Sequence, residues 1–310
     1  MTRFPVFDGH CDTPVALWQR GERLAENHGQ VSLAQAADFP AYVQFFAFCM
    51  VWIETRQTNE ERFAESFTYF ERQLEQSRIR RCNSAAEVAA VLQSGGCGAL
   101  LSIEGAEAIG CDPGRLEDVA ARGVRMIAPV WNAENALCGS CLTGSGLTAQ
   151  GREFVRRAQK TGILIDVSHM SERGFWDVCE IAEAPIVASH SNAKAVCGHV
   201  RNLTDEQFRA LRDLGGTAGL NLCAAFLRAD GVATLEDVRR HLEHFLERDG
   251  DGHLALGGDL DGCETLPEGM HGLRDYEKLE LAMKSWGFDD SIVENLFYKS
   301  MEKVVTKCIM

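Results

Sequence analysis

The sequence predicts an α/β chain folded as a (β/α)8 TIM barrel, and three observations carry that expectation. Apolar, β-branched and aromatic runs alternate with segments of helical periodicity along nearly the whole chain. Eight such runs fall within roughly 260 residues, the size at which eight βα units close into a barrel. The turn after the first run reads Asp8-Gly9-His10, where an open doubly wound sheet would carry a glycine-rich phosphate loop. Gly144-Ser145-Gly146 precedes a helical segment but follows no strand directly, so it is a weak phosphate signal. One domain over residues 1–310 is expected.

The first strand is the short apolar run Phe4 to Phe7, continuing toward His10 and Asp12. A looped or helical polar segment follows, to about Asp38. The aromatic stretch over 42–52 has no polar face, which marks a strand buried on both sides. Phe63, Phe67, Phe70 and Leu74 repeat at helical spacing and predict a helix over 59–81. Ser84 with Glu87 three residues on forms a capping box for the next helix. Strands are then expected over 99–103, 124–130, 163–167, 185–188, 217–222 and 253–257. Helices are expected over 113–122, 148–161, 171–182, 204–214 and 234–248, with Ser171 and Thr204 as caps. Two more, over 275–286 and 289–305, close the chain.

Net charge is −14 and the isoelectric point about 5.1. An acidic chain is poorly suited to nucleic acid or an anionic membrane surface, so neither partner is expected. Met1-Thr2-Arg3 leads straight into a strand rather than a long apolar leader, and no run reaches the length of a spanning helix. A soluble, cytoplasmic protein is expected, with a homodimer as the commonest assembly. The 12 cysteines are scattered and several sit inside apolar runs, which suits reduced thiols. Cys138-Gly139-Ser140-Cys141 reads as a loop near the barrel mouth. Asp249-Gly250-Asp251-Gly252 reads as a turn, and Asp261 as a residue that orients a neighbour. His241 and His244 are expected on the surface of a helix.

The ionisable residues of interest fall at strand ends. His10 and Asp12 end the first strand, Glu104 the third, His169 the fifth, His190 the sixth and Asp259 the eighth. A barrel brings these ends to one face, where barrel enzymes carry out their chemistry. A ring of imidazoles and carboxylates is costly to bury without a compensating charge. A buried ion-pair network is one solution and divalent metal the other. His10, Asp12, Glu104, His169 and His190 are too many ligands for one catalytic metal with an open position. With Glu104 bridging, they suit two metals sharing a water or hydroxide, and Asp259 is left free as general base and acid. No Gly-x-Ser-x-Gly elbow points to a serine hydrolase.

The chain resembles the membrane (renal) dipeptidase family, the M19 metallopeptidases of the amidohydrolase superfamily. The matching stretches are Asp8-Gly9-His10-Cys11-Asp12, Ser102-Ile103-Glu104-Gly105, Ile165-Asp166-Val167-Ser168-His169, Ala188-Ser189-His190-Ser191 and Arg201-Asn202. Gly257-Gly258-Asp259-Leu260-Asp261-Gly262 and Pro267-Glu268-Gly269 complete the set, in the family's order. The resemblance implies a zinc-dependent dipeptidase with two zinc ions per chain, bridged by Glu104. His10, Asp12 and Glu104 would hold one ion, and Glu104, His169 and His190 the other. A metal-bridging hydroxide would attack the peptide bond of a small dipeptide, Glu104 and Asp259 serving as the catalytic residues. Arg201 would bind the substrate carboxylate. Two positions depart from the family. Trp131 stands where members often have a substrate-contacting His, and Cys223 where the mammalian enzyme has a substrate-pocket Tyr. Those departures leave open another hydrolase on the same metals, acting on N-acyl amino acids, lactones or by deamination, or a catalytically silent metal-binding barrel.

Overall fold

The computed structural model describes residues 2–53 and 55–309. Its strands are β1 (Val6–Cys11), β2 (Ala41–Cys49), β3 (Ile79–Arg81), β4 (Gly96–Glu104), β5 (Val124–Ala128), β6 (Leu164–Ile165), β7 (Val187–Ala188), β8 (Thr217–Leu220) and β9 (Leu254–Leu256). All pair in parallel, in the order β6-β5-β4-β2-β1-β9-β8-β7. A single parallel bridge, Asp166 to Val187, joins the two ends of that order, with Val167 N–H donating to Val187 O at 2.7 Å. The result is the expected eight-stranded barrel, nearly closed, with helices between the strands.

Alternation along the strands divides the core in two. Phe7, Val43, Phe45, Leu100, Met126 and Leu164 point inward and fill the barrel, with Phe7 and Phe45 stacked at 5.9 Å. Tyr42, Phe46 and Phe48 point outward. They meet Phe63, Phe67 and Phe70 of the helix Asn59–Gln76, with Phe48 5.1 Å from Phe67 and Phe46 5.0 Å from Phe70. Every residue of β2 is buried, so its lack of a polar face follows from packing on both sides. Met301, Val304 and Val305 of the last helix, Ser300–Cys308, join the inner set and stop the N-terminal end of the barrel.

Capping follows the expected chemistry. Ser84 and Glu87 form a capping box, as do Thr58 and Glu61 and Thr204 and Gln207. Ser171 Oγ accepts from Gly174 N–H at 2.8 Å. The helix expected over 59–81 stops at Gln76, because Ile79, Arg80 and Arg81 peel off to pair with β4 at its outer start. Helical periodicity continued through a segment whose backbone found a sheet partner. The expected last helix is broken by a π-type turn, Asn295–Lys299. β1 starts two residues later than expected and runs on through His10. A helix, Thr13–Arg20, follows at once.

Among the described residues, no helix is long and apolar enough to cross a membrane. All 12 cysteines are free thiols.

Candidate metal centre

Strand parity decides what reaches the barrel mouth. On β4, Leu100 faces inward, so Ser102 and Glu104 do too. On β1, strict alternation would put Phe7 and Cys11 on one face. The register between β1 and β2 instead shifts between Asp8 and Cys11. That irregularity turns His10 inward and leaves Cys11 in the outer core. Backbone N–H groups of His10 and Gly258 donate to the buried Asp8 carboxylate at 2.8 and 3.0 Å, and Tyr276 donates its phenol to it. Asp8 therefore fixes the kink beneath His10.

Two further ends use left-handed backbone. His169 has φ +69° and Asp259 φ +57°, values that side chains adopt at a cost and mainly where the surroundings impose them. Gly262 is required by close approach, since a Cβ there would lie 2.1 Å from Asp12 Oδ2 and 2.6 Å from Asp259 Oδ1.

His10, Asp12, Glu104, His169, His190 and Asp259 are all buried and converge. Glu104 divides its oxygens between two groups. Oε2 lies 3.6 Å from His10 Nε2, which is 3.4 Å from Asp12 Oδ2 and 4.0 Å from Asp259 Oδ1. Oε1 lies 2.9 Å from His169 Nε2 and 3.3 Å from His190 Nε2. The sequence-derived set is thus brought together, with Asp259 on the His10 side.

Neighbours set the imidazole tautomers. Asn132 Oδ1 lies 2.8 Å from His169 Nδ1 and can only accept. The Ser189 hydroxyl donates to Asp166, so it accepts from His190 Nδ1 at 2.7 Å. Asp166 also takes the N–H groups of Ser168 and Ser189, both at 2.9 Å. Both imidazoles therefore point a bare Nε2 inward, 3.1 Å apart and against the same carboxylate oxygen. Burial, with Arg201 nearby, lowers the His169 pKa to about 4, and burial lowers that of His190 as well. Two lone pairs and a carboxylate oxygen at these distances repel unless a cation sits among them. His10 adds two buried ring nitrogens without a hydrogen-bond partner among the described residues.

The charge balance points the same way. Burial pushes the Asp12 carboxyl up to about 7, assisted by the charge of Glu104, and burial raises Asp259 too. Burial opposes His10 protonation, but Glu104, Asp12 and Asp259 carry its pKa up to about 10. Burial also works against an ionised Glu104, yet His10 holds it well below the usual carboxylate range. Three carboxylates, two neutral imidazoles and the His10 ring share one buried pocket. That donor set fits divalent cations, and among the described residues three groups of three each close within 4.8 Å: Glu104, His169 and His190; His10, Asp12 and Asp259; and His10, Asp166 and His190.

The centre floors a cavity of about 560 Å³. Trp131 lies on its wall, its ring 5.9 Å from that of His169. Arg201 is also on the wall, buried, with Nε and Nη2 unpartnered among the described residues and its guanidinium over the Phe226 ring at 5.6 Å. Exposed Trp52, Leu142 and Val200 give the rim an apolar edge. The neighbouring Cys263 thiol lowers the Cys223 pKa, against the effect of burial. Asp261 orients a neighbour as expected, accepting from Thr13 Oγ1 and Gln30 N–H at 2.7 Å each.

Sequence reasoning missed the supports. Asp8, Asn132, Asp166, Ser189 and Asn221, whose Nδ2 donates to Asp259 Oδ2 at 2.9 Å, were assigned no role. Asp8, Asp166 and Ser189 lie inside the quoted motifs, which was the available signal. His241 is a correction. It is fully buried, its Nδ1 accepting from Ala193 N–H at 3.1 Å and its Nε2 donating to Leu227 O at 3.0 Å. Val238, Leu242 and Phe245 share its helix face, so the spacing already placed it toward the core.

Comparison with known proteins agrees with this geometry. The family model described as membrane dipeptidase, peptidase family M19, matches residues 1–308. A crystal structure of dipeptidase AC, a metallo peptidase of family M19, superposes with a TM-score of 0.88 at 31% identity, covering 99% of each chain. A metallo peptidase from Rhodobacter sphaeroides, solved with a phosphinate mimic of the dipeptide L-Ala-D-Ala, gives a TM-score of 0.87 at 29% identity, over 98% of this chain and 99% of that one. An uncharacterized protein of the pqqA 5' region of Klebsiella pneumoniae is 37% identical over 240 residues, 74% of this chain and 88% of its own. The chain belongs to the membrane dipeptidase family, peptidase family M19, and is a metallopeptidase of that family.

Proposed function

We propose that the chain is a zinc-dependent dipeptidase with two ions, bridged by Glu104. The observation that carries this reading is the split of the Glu104 carboxylate, Oε2 toward His10 and Asp12, Oε1 toward His169 and His190. His10, Asp12 and Glu104 would hold one ion, and Glu104, His169 and His190 the other. Bound there, the cations supply Lewis-acid polarisation of the peptide carbonyl and acidify a water.

The chain's own groups do the rest. Arg201 offers unpartnered Nε and Nη2 donors, a fork that fits the C-terminal carboxylate of a short peptide. Burial of Arg201 makes an unpaired charge expensive, so a carboxylate there gains more than it would in water. The Asp259 carboxyl, raised by burial and steadied by Asn221, is suited to proton transfer. It takes a proton from the attacking water and delivers it to the leaving amide nitrogen. Trp131 walls the substrate side next to His169 and excludes water there. The relatives solved as dipeptidase AC and with a dipeptide mimic support a dipeptide as substrate.

The test is a panel of dipeptides, including D-residues at the second position, assayed with zinc-loaded protein. C-terminally amidated dipeptides and N-acyl amino acids serve as controls. Turnover that requires a free C-terminal carboxylate supports the reading. No turnover of any dipeptide overturns it.

A further inference from the structure

A second cavity, of about 600 Å³, adjoins the one over the metal centre. The two cavities share Cys141, His169, Val200 and Arg201 as a common wall. Arg201 thus serves both spaces, and its unpartnered Nε and Nη2 are buried at that wall. If the α-carboxylate of a dipeptide sits on Arg201 and the scissile carbonyl over the centre, the side chain of the second residue has the second cavity to occupy.

Lys194 faces that cavity. It is half-buried, and its ammonium has no hydrogen-bond or ion-pair partner among the described residues. Its backbone is pinned. Lys194 N–H donates to Leu203 O and Leu203 N–H to Asn192 O, both at 2.8 Å, while Ala193 N–H is held by the buried His241. The segment carrying Lys194 therefore lies locked beside the segment carrying Arg201, joined by the Ala193–Leu203 bridge. Acidic groups on the same wall do not neutralise it. Asp177 already accepts from Arg152 Nη2 at 2.7 Å and Leu147 N–H at 2.8 Å, and Glu172 is exposed at a helix start. Arg173, also on this wall, is exposed and solvated.

We infer that Lys194 and Arg201 form a two-cation subsite selecting dipeptides whose C-terminal residue is aspartate or glutamate. Arg201 takes the α-carboxylate and Lys194 the side-chain carboxylate. The net charge of −14 would disfavour such an anionic substrate elsewhere on the surface, and this chamber is where it is locally reversed. The inference rests on the dipeptidase reading above.

The experiment compares kcat/KM of zinc-loaded protein for Ala-Ala, Ala-Asp, Ala-Glu and Ala-Lys, with both configurations at the second residue. A charge-assisted hydrogen bond in a half-buried site corresponds to roughly a tenfold preference for the acidic substrates over Ala-Ala. In Lys194→Met the acidic-to-neutral ratio falls to about one, chiefly through KM. Lys194→Arg keeps it, and Lys194→Glu turns the preference toward Ala-Lys. Turnover of Ala-Ala with no acidic preference in the native protein overturns the subsite and leaves the dipeptidase reading standing. An acidic preference that survives in Lys194→Met also overturns it. Absence of turnover on every dipeptide overturns both.

Discussion

His169 and His190 meet nitrogen to nitrogen, their Nε2 atoms 3.1 Å apart and both facing Glu104 Oε1. Each ring is held in that posture from behind, His169 by Asn132 and His190 by Ser189 backed by Asp166. The posture costs electrostatic repulsion in the bare protein and favours a cation between the rings.

The first prediction concerns that support. Ser189→Ala removes the hydroxyl that orients His190 without touching the proposed ligands. Orienting partners of this kind contribute about 10–100-fold to metal affinity. Titration with a competing chelator should show that loss at one of two sites, with the circular dichroism spectrum unchanged. Equal affinity at both sites in the variant would remove the orienting role.

The second concerns the two faces of β1. His10→Ala and Asp12→Ala should each lower the metal content by about one ion per chain. Cys11→Ala, on the outer face, should keep both ions and cost about 1 kcal/mol in stability. Metal analysis by mass spectrometry checks all three.

The third concerns Asp259. Asp259→Asn keeps the side chain's size and its place beside Asn221 but cannot carry the proton. kcat should fall by roughly 100-fold or more, with metal content retained. Unchanged kcat would assign the proton transfer to another group.

The fourth concerns pH and lies away from the centre. Burial lowers the His241 pKa to about 4, and its Nδ1 must stay bare to accept from Ala193. The unfolded chain binds that proton near pH 6.5, the folded chain only near 4. His241 therefore stabilises the fold fully above pH 6.5, and this contribution is lost as pH falls toward 4. The loss is on the order of 3 kcal/mol. Denaturation of the native protein and His241→Gln at several pH values isolates it: the difference between them should shrink by that amount from pH 7 to 4. A difference independent of pH would contradict the buried neutral imidazole.

The barrel and the mouth residues were legible because each rests on local pattern. Eight buried runs spaced by amphipathic segments leave little choice of architecture, and Glu104, His169 and His190 sit where such runs end. The shifted register in β1 was not legible, since Phe7 to Cys11 reads as simple alternation until β2 sets its register. The short β3 was hidden inside helical periodicity. Asn221 on Asp259 and Asn132 on His169 join residues 38 and 37 apart, and no local spacing announces such pairs. His241 reads as a surface residue by its polarity, yet it shares a helix face with the buried Val238, Leu242 and Phe245.

The most direct test of the central claim is the metal content of purified protein, measured together with dipeptide turnover before and after chelation. About two zinc ions per chain, with turnover lost on chelation and restored by zinc, is the predicted result. Full turnover in metal-free protein, or a single ion that supports full activity, would contradict the two-metal centre bridged by Glu104.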